Sequence, residues 1–413
     1  MKRWTLVQIL RWLIGSAIVK FFDLSQFVRG LWQVHIRHLH EVALRDKSGN
    51  LPPPDGSRVA IVAIYPSDAS LPFTLNLLRS LVGTGFYVVV ISTRSLTESV
   101  TTKLADHCHH MIERLNVGQD FGSYQMGLRW LESNAAWLGV ANVLILANDS
   151  LFYPRAFQAE VERMVADPYD WQALFENYEK HYHAGSFFLL FRRNIFTSPV
   201  FQRFWSSYHP YPSRVHAIDR GEVRLSTVLR KAGFICNPAY SSSRLVAALL
   251  DKGLELSRIA ELSPADRWDI ARPQLFVAAA GLAETSAVRE AGPEWEEQRV
   301  EKHPVELQTS NVLRAMLLAV RDAERTKWIY QIGRRFELSN PAHTAALLIN
   351  ALFTAPIKRD VCYRGAFDIF QIPHMAIGFD TDELTAMEQD LTRRGLPVSM
   401  GGLRRLLYQR GRI

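Results

Sequence analysis

A chain of 413 residues exceeds what one hydrophobic core usually serves, so two domains or one domain with large additions are expected and a miniature stapled scaffold is excluded. Hydrophobic residues at 48% and charged residues at 22%, with only 23 Gly and 19 Pro, mark an ordinary globular sequence rather than a fibrous or low-complexity one. The balance of 48 Lys and Arg against 41 Asp and Glu, +7 overall, permits an anionic partner, and nucleic acid, lipid headgroups and sugar nucleotides all qualify. Cys108, Cys236 and Cys362 stand far apart, without CxxC or Cys/His spacing. Neither a disulfide framework nor a zinc knuckle is supported, and a reducing compartment is the natural setting.

At the N-terminus a basic start precedes an apolar run over residues 1–22. Arg11 and Lys20 interrupt that run, no small-residue cleavage site follows, and the uncharged stretch 12–19 is far short of the ~20 residues of a spanning helix. Lys2, Arg3, Arg11, Lys20, Arg29 and Arg37 are set among Trp4, Trp12, Phe21, Phe22, Phe27 and Trp32, a mixture suited to a helix lying in an anionic bilayer surface. The same pattern also describes a helix whose apolar face packs on the rest of the protein. Residues 1–45 therefore read as an amphipathic, membrane-associating helical segment. Residues 46–57, with Gly49, three consecutive prolines at 52–54 and Gly56, read as a linker.

From residue 58 the pattern changes. A β-branched run at 59–64, a helical spacing at 71–81 and a second apolar run at 86–92 form a strand–helix–strand unit, so a parallel sheet is expected. A helical stretch at 124–133 leads to a third buried strand at 142–147, and strand-like runs recur at 172–176 and 186–191 before a helix at 201–208. Beyond 247 the chain becomes helical and more charged, with a solvated connection at 290–302 and a basic tail carrying Arg404, Arg405, Arg410 and Arg412. The division is 58–245 for the main domain and 246–413 for a mainly helical C-terminal region. No internal repeat is present.

No GxGxxG follows the first strand and no GxxxxGK[ST] occurs anywhere, so a dinucleotide site and a P-loop both lack their phosphate cradle. A GxSxG elbow and an HExxH helix are absent too, which removes the common hydrolase nucleophile and metal. Two polar segments remain. In residues 116–124, Gly118 and Gly122 allow close backbone approach, while Asn116 and Asp120 supply an amide and a carboxylate suited to a ribose or sugar. Asn148, Asp149 and Ser150 follow the buried strand directly, at the sheet edge where α/β ligands bind, and with Asp149 as its carboxylate this set can coordinate Mg²⁺ or Mn²⁺ on a diphosphate. Asn, Asp, Ser and Gly are also common turn formers, and that is the plain alternative for each segment taken alone.

The order strand, helix, NxGxD, helix, apolar strand and NDS resembles the GT-A glycosyltransferases, and most closely the rhamnan synthesis protein F family. The resemblance continues through residues 183–191 and 201–205, which are similar to a His-x-x-Ser strand and an FxxFW helix. It extends to residues 222–234, with a Glu, a helix and Gly-Phe, and to 340–343 and 356–360, similar to NPxH and P[FI]K motifs, so that it covers about 58–364. It departs at Ala184 and Gly185, where a bulky residue and Gln are expected.

This resemblance implies an α/β fold with a GT-A-like, Rossmann-type, mostly parallel sheet flanked by helices. It implies transfer of a sugar, often rhamnose, from a nucleotide-diphosphate sugar donor to a lipid-linked glycan acceptor at the inner, cytoplasmic face of the cell membrane. Asn148, Asp149 and Ser150 then stand where a DxD-type motif sits, Asp149 nearest a divalent cation, with Asn116, Gly118 and Asp120 lining the donor. An inverting transfer needs a base, for which Glu222, Asp219 and His183 are the candidates, Glu222 first. Each has a plain alternative: a helix-start acid for Glu222, an ion pair with Arg220 for Asp219, a structural hydrogen bond for His183. His343 and Lys358 are candidates for a phosphate of donor or acceptor, while Asn340 and Pro341 also read as an N-cap and first helical residue. The alternative function is a non-catalytic glycan- or nucleotide-binding subunit of an assembly complex. Nucleic acid is not expected as a partner, since the charge is spread along the chain and no binding module appears.

Overall fold

The computed structural model describes residues 6–54, 56–134, 139–178, 181–251, 340–361, 367, 369–394, 401–409 and 412, together with residues 262 and 329. The expected connection at 290–302 lies outside the described residues, as do Lys2, Arg3, Trp4, Cys362 and Arg410.

The chain opens with α1 (Leu6–Leu31) and β1 (Ala43–Ser48). The strand–helix unit expected from the apolar runs follows as β2 (Arg58–Ile64), α2 (Leu71–Gly83) and β3 (Tyr87–Ser92). It continues through α3 (Glu98–Ala105), β4 (His110–Arg114), α4 (Gln119–Ser133), β5 (Val143–Asn148), β6 (Leu151–Phe152) and α5 (Phe157–Ala166). Next come β7 (Trp171–Asn177), β8 (His183–Ala184), β9 (Phe188–Arg192), α6 (Pro199–Ser207), a π-helical turn at Ala217–Val223, α7 (Arg224–Lys231), β10 (Cys236–Tyr240) and α8 (Ser242–Asp251). In the C-terminal part lie α9 (Pro341–Thr344), α10 (Ala346–Phe353), β11 (Ile357–Lys358), α11 (Thr381–Arg394) and α12 (Gly402–Gln409).

The main sheet runs in the order β1-β4-β3-β2-β5-β9-β7-β10, with β8 added on β7. Strands β4, β3, β2 and β5 are mutually parallel; β9 enters antiparallel between β5 and β7, and β10 is parallel to β7. The fold is thus the expected α/β type with a mostly parallel sheet between helices. The run read at 186–191 is a strand, but it opposes its neighbours, a direction that apolar runs do not encode. A second difference lies at 46–48, inside the segment read as a linker, where β1 pairs antiparallel with β4. Its residues are exposed, so no apolar pattern marks it; the partner's open edge makes it a strand.

Alternation along β2 shows why the sheet is covered on both faces. Ala60, Val62 and Ile64 enter one core with α2, α5, α8, α10 and α11, while Val59, Ile61 and Ala63 enter a second with α4, α6 and α7. Leu347, Leu348, Met387 and Leu391 of the C-terminal part belong to the first of these cores, beside Phe73 and Phe152 of the main domain. Helix starts follow side-chain chemistry: Thr97 accepts from Val100 N–H and Ser198 from Phe201 N–H, with Pro199 next in line. Asn340 occupies the N-cap position ahead of Pro341, though its side chain makes no cap bond.

Helix α4 reaches β2 through Gly127, where a Cβ would lie 2.3 Å from Cγ2 of Ile61. That contact sets how closely α4 rides on the sheet. Gly127→Val is expected to lower unfolding stability by at least about 1–3 kcal/mol through overpacking, read as a lower midpoint in denaturant unfolding.

Candidate functional site

The strand order diverges at β2: β3 and β4 lie to one side, β5 and its followers to the other. The crevice at the carboxyl ends of β2 and β5 is therefore the topological switch point, where ligands bind in open α/β sheets. Asp149 sits there, one residue beyond β5, and is 8% exposed. Its Oδ2 accepts the N–H of Tyr65, the residue after β2, at 2.9 Å, while its own N–H bonds Ala63 O at 3.2 Å. The carboxylate is thus held across the mouth of the crevice. Asn148 and Ser150 close a tight turn around it: the Asn148 side-chain oxygen accepts both the N–H and the hydroxyl of Ser150.

The other polar segment joins this one directly. Asn148 Nδ2 donates to Asp120 Oδ2 at 2.8 Å, so NxGxD and NDS form one polar wall. Helix α4 begins at Gln119, five residues ahead of the start read from its apolar spacing, which puts Asp120 in its first turn. Gly118 makes that possible: its φ is 82°, and a Cβ there would lie 2.2 Å from Pro210 Cβ. Asn116 is exposed. Burial pushes the Asp120 carboxyl up to about 6, against the pull of Lys358, and the charges of Asp149 and Glu222 push the same way.

Glu222 approaches from the π-helical turn. Ser186 holds its Oε1 twice, through N–H at 3.2 Å and hydroxyl at 2.5 Å, and His183 Nε2 lies 3.6 Å from Oε2. Burial alone would raise its pKa, but His183 and the Ser186 donors outweigh that and leave it below the ordinary carboxylate value. His183 is itself oriented through Nδ1, 2.8 Å from His181 O. Asp219, one turn earlier, is exposed and outside this cluster.

The late residues arrive through β11, which pairs antiparallel with β6, matching Lys358 to Leu151 and Ile357 to Phe152. Lys358 is buried, with Nζ 4.1 Å from the Phe187 ring centre. Burial lowers its pKa, opposed by Asp360, Asp120 and Glu222 in that order and assisted by Arg214. His343 bonds Asp360 at 2.9 Å, so it meets the site through Lys358's neighbour rather than directly. Arg359 is a member the motifs did not single out. It is 5% exposed, donates to Asp149 O at 2.9 Å, and grips both oxygens of Asp390 at 3.0 to 3.2 Å. Tyr65 was missed as well. The residue is 55% exposed at the end of β2, with Arg94 5.9 Å from its ring centre. A charged residue beside a candidate lysine, and an aromatic directly after the first strand, were the signals available.

No group of three or more His, Cys, Asp or Glu converges to hold a metal among the described residues. A divalent cation would rest on Asp149 with oxygens of a bound phosphate ligand and water completing its shell, a pattern that suits Mg²⁺. The carboxylate chemistry fits such a cation at this minimal level.

Fold and site together define an α/β protein that gathers carboxylates, an amide and a buried lysine at the carboxyl ends of its central strands. Residues 88–254 match the profile of the family described as Rhamnan synthesis protein F, the family the motifs resemble. The matched span holds every site residue named above except Tyr65, His343, Lys358, Arg359, Asp360 and Asp390, and is narrower than the 58–364 of the motif reading. A relative in Sinorhizobium fredii, the uncharacterized protein y4gN, is 26% identical over 211 residues, which cover 50% of this chain and 54% of that protein. The chain therefore matches about half the length of this curated relative.

Two solved structures are similar at 13% identity each. One, assigned as a nucleotide-diphospho-sugar transferase of Desulfovibrio desulfuricans G20, has a TM-score of 0.29 and covers 44% of this chain and 79% of its own. The other, the mannosyltransferase PcManGT of Pyrobaculum calidifontis in complex with GDP-Man and Mn²⁺, has a TM-score of 0.26 and covers 78% and 99%. At these TM-scores neither overlay transfers a ligand or a reaction to this chain.

The electrostatics give two expectations. Asp120 has a folded-state pKa above the unfolded value, so its contribution to stability is full below about pH 4 and is lost as pH rises through about 6. Wild type should therefore lose stability relative to Asp120→Asn between pH 4 and pH 7, measured by denaturant unfolding at each pH. Arg359→Met leaves Asp390 buried without its cation and is expected to cost about 3–5 kcal/mol in the same assay.

Proposed function

We propose that this protein is a glycosyltransferase that moves a sugar from a nucleotide-diphosphate sugar to a growing lipid-linked glycan. The observation that carries the reading is the meeting of Asp149, Asp120 and Lys358 at the switch point, supported by the family match over 88–254. The GT-A type, rhamnose as the transferred sugar, a polysaccharide or lipopolysaccharide product and the inner face of the cell membrane are parts of this reading that the family resemblance supports.

The chemistry follows from the residues. The donor diphosphate lies across the crevice between β2 and β5, with Asp120, Asn148 and Gly118 against the sugar or ribose hydroxyls. The exposed Tyr65 ring offers a face to the base. In inverting transfer an acceptor hydroxyl oxygen bonds to the anomeric carbon while the carbon–oxygen bond to the diphosphate breaks. Negative charge grows on the leaving diphosphate, and Lys358 is a cation of the crevice that offsets it in a low-dielectric setting. Glu222, ionised because His183 and Ser186 favour its charged form, takes the hydroxyl proton. Asp219 and His183 are the second choices for that role, and His343 acts on Lys358 through Asp360. A bound Mg²⁺ or Mn²⁺ at Asp149 would add a second positive charge beside the diphosphate.

One observation favours the non-catalytic alternative. The two hydrogen bonds that Ser186 donates to Glu222 make it a weak base, as a structural carboxylate would be. Donor binding without turnover would select it.

Thermal shift with thymidine-, uridine- and guanosine-diphosphate sugars, with and without Mg²⁺ or Mn²⁺, should give one selective stabilisation. Asp149→Ala and Lys358→Met should each lower kcat/KM for sugar transfer by about 10²–10³-fold with the fold retained. Full activity in Asp149→Ala would remove its assigned role at the diphosphate.

A further inference from the structure

The N-terminal helix is seated on the protein by the wrong face for a soluble helix. Among its described side chains only Gly15, Val19 and Gly30 are buried, two glycines and one aliphatic residue. A Cβ on Gly15 would lie 3.5 Å from Leu406 of α12, and one on Gly30 would lie 2.7 Å from the Tyr211 ring. Asp23 pairs with Arg412 at 2.8 Å on the same side. The opposite side carries the bulk. Leu10, Ile14, Phe21, Leu24 and Val28 follow the three-and-four spacing of one helical face and are 57%, 53%, 75%, 58% and 57% exposed.

Charge flanks this stripe. At 3.6 residues per turn Lys20 lies along one border and Arg29 along the other, and both are exposed. Arg37, 5.4 Å from the Trp32 ring centre, is a further exposed cation just beyond the helix. The only acid in α1 is Asp23, which Arg412 already engages on the inner side, and α12 contains none.

We infer that this exposed face of α1 docks flat on an anionic lipid bilayer. The large apolar side chains enter the headgroup–acyl boundary and the bordering cations meet lipid phosphates. None of the described helices is long and apolar enough to cross a membrane, and Lys20, Asp23 and Arg29 along α1 suit a helix lying in the interface. A second copy of the chain is the rival occupant, because the stripe has heptad-like spacing. Two features oppose it: Leu13 and Ile18 widen the exposed apolar face past a two-position seam, and no acid lies on that face to answer Lys20 or Arg29 across a dimer. The surface deepens the proposed transfer to a lipid-linked acceptor and rests on that reading for its purpose.

The test is co-sedimentation of the full chain with vesicles of phosphatidylcholine alone and of phosphatidylcholine with phosphatidylglycerol, at low and high salt. Wild type should bind the anionic vesicles, bind the zwitterionic ones poorly, and lose affinity with salt. Phe21→Asp combined with Leu24→Asp should lower partitioning by at least about tenfold. Lys20→Glu combined with Arg29→Glu should lower it by about fivefold per charge on anionic vesicles only. Circular dichroism and thermal unfolding of each variant check that it is folded. The inference is overturned if folded wild type ignores anionic vesicles, or if both variants bind as wild type does. It is likewise overturned if wild type is a dimer that the Phe21 and Leu24 changes dissociate without any vesicle binding. The donor thermal shift separates the two readings, since a chain that binds vesicles but no nucleotide sugar keeps this surface and loses the transferase.

Discussion

Arg359 is the residue on which the site's geometry depends. A guanidinium at 5% exposure is tolerable only with its donors answered, because an isolated buried charge costs several kcal/mol. Asp390 of α11 takes the fork, and the carbonyl of Asp149 takes another N–H. One cation thereby fixes the C-terminal helix, the β6–β11 pair and the end of β5 relative to one another. The Arg359 N–H to Ser150 O bond, at 3.0 Å, adds a backbone tie at the same point. Lys358 is the residue before it and alternates to the other side of the strand, so its ammonium is delivered into the crevice by the anchoring of Arg359.

That delivery explains the balance of charge there. Asp120 feels the charges of Asp149 and Glu222, which together with burial push a proton onto it against the pull of Lys358. The Asp120 carboxyl, raised to about 6, shows how close the crevice comes to that outcome. Glu222 escapes it because Ser186 and His183 favour its charged form. The two carboxylates are therefore set apart, Asp120 raised to about 6 and Glu222 held below its ordinary value.

Legibility in the sequence followed burial. β2, β3, β5 and β7 were readable because both faces are covered and their runs are apolar throughout, and the NxGxD and NDS segments were readable because they sit at strand ends. β1 was not, since its residues are exposed and only the edge of β4 makes it a strand. The direction of β9 depends on which edge it finds, and no local pattern records that. The start of α4 is not legible because Gly118, Gln119 and Asp120 carry no apolar period, while positive φ at Gly118 and Gln119 is what turns the chain into the helix. Arg359 and Asp390 lie far apart in sequence, and neither is unusual until the fold sets them side by side.

The N-terminal helix and the crevice meet through a short run of contacts. Gly30 rests on Tyr211, whose hydroxyl lies 3.0 Å from His35 Nε2. Its neighbour Pro210 fills the space beside Gly118 where a side chain would otherwise be, at the turn that presents Asp120. Packing at both glycines is too close for a Cβ, so neither surface can slide without opening a void or a clash. The orientation of the helix and the shape of the ligand-facing turn are consequently fixed by the same two residues of the 208–212 loop. A chain that must present its crevice at a surface gains from such an arrangement, because whatever holds the helix also sets the height and tilt of the carboxylate wall behind it.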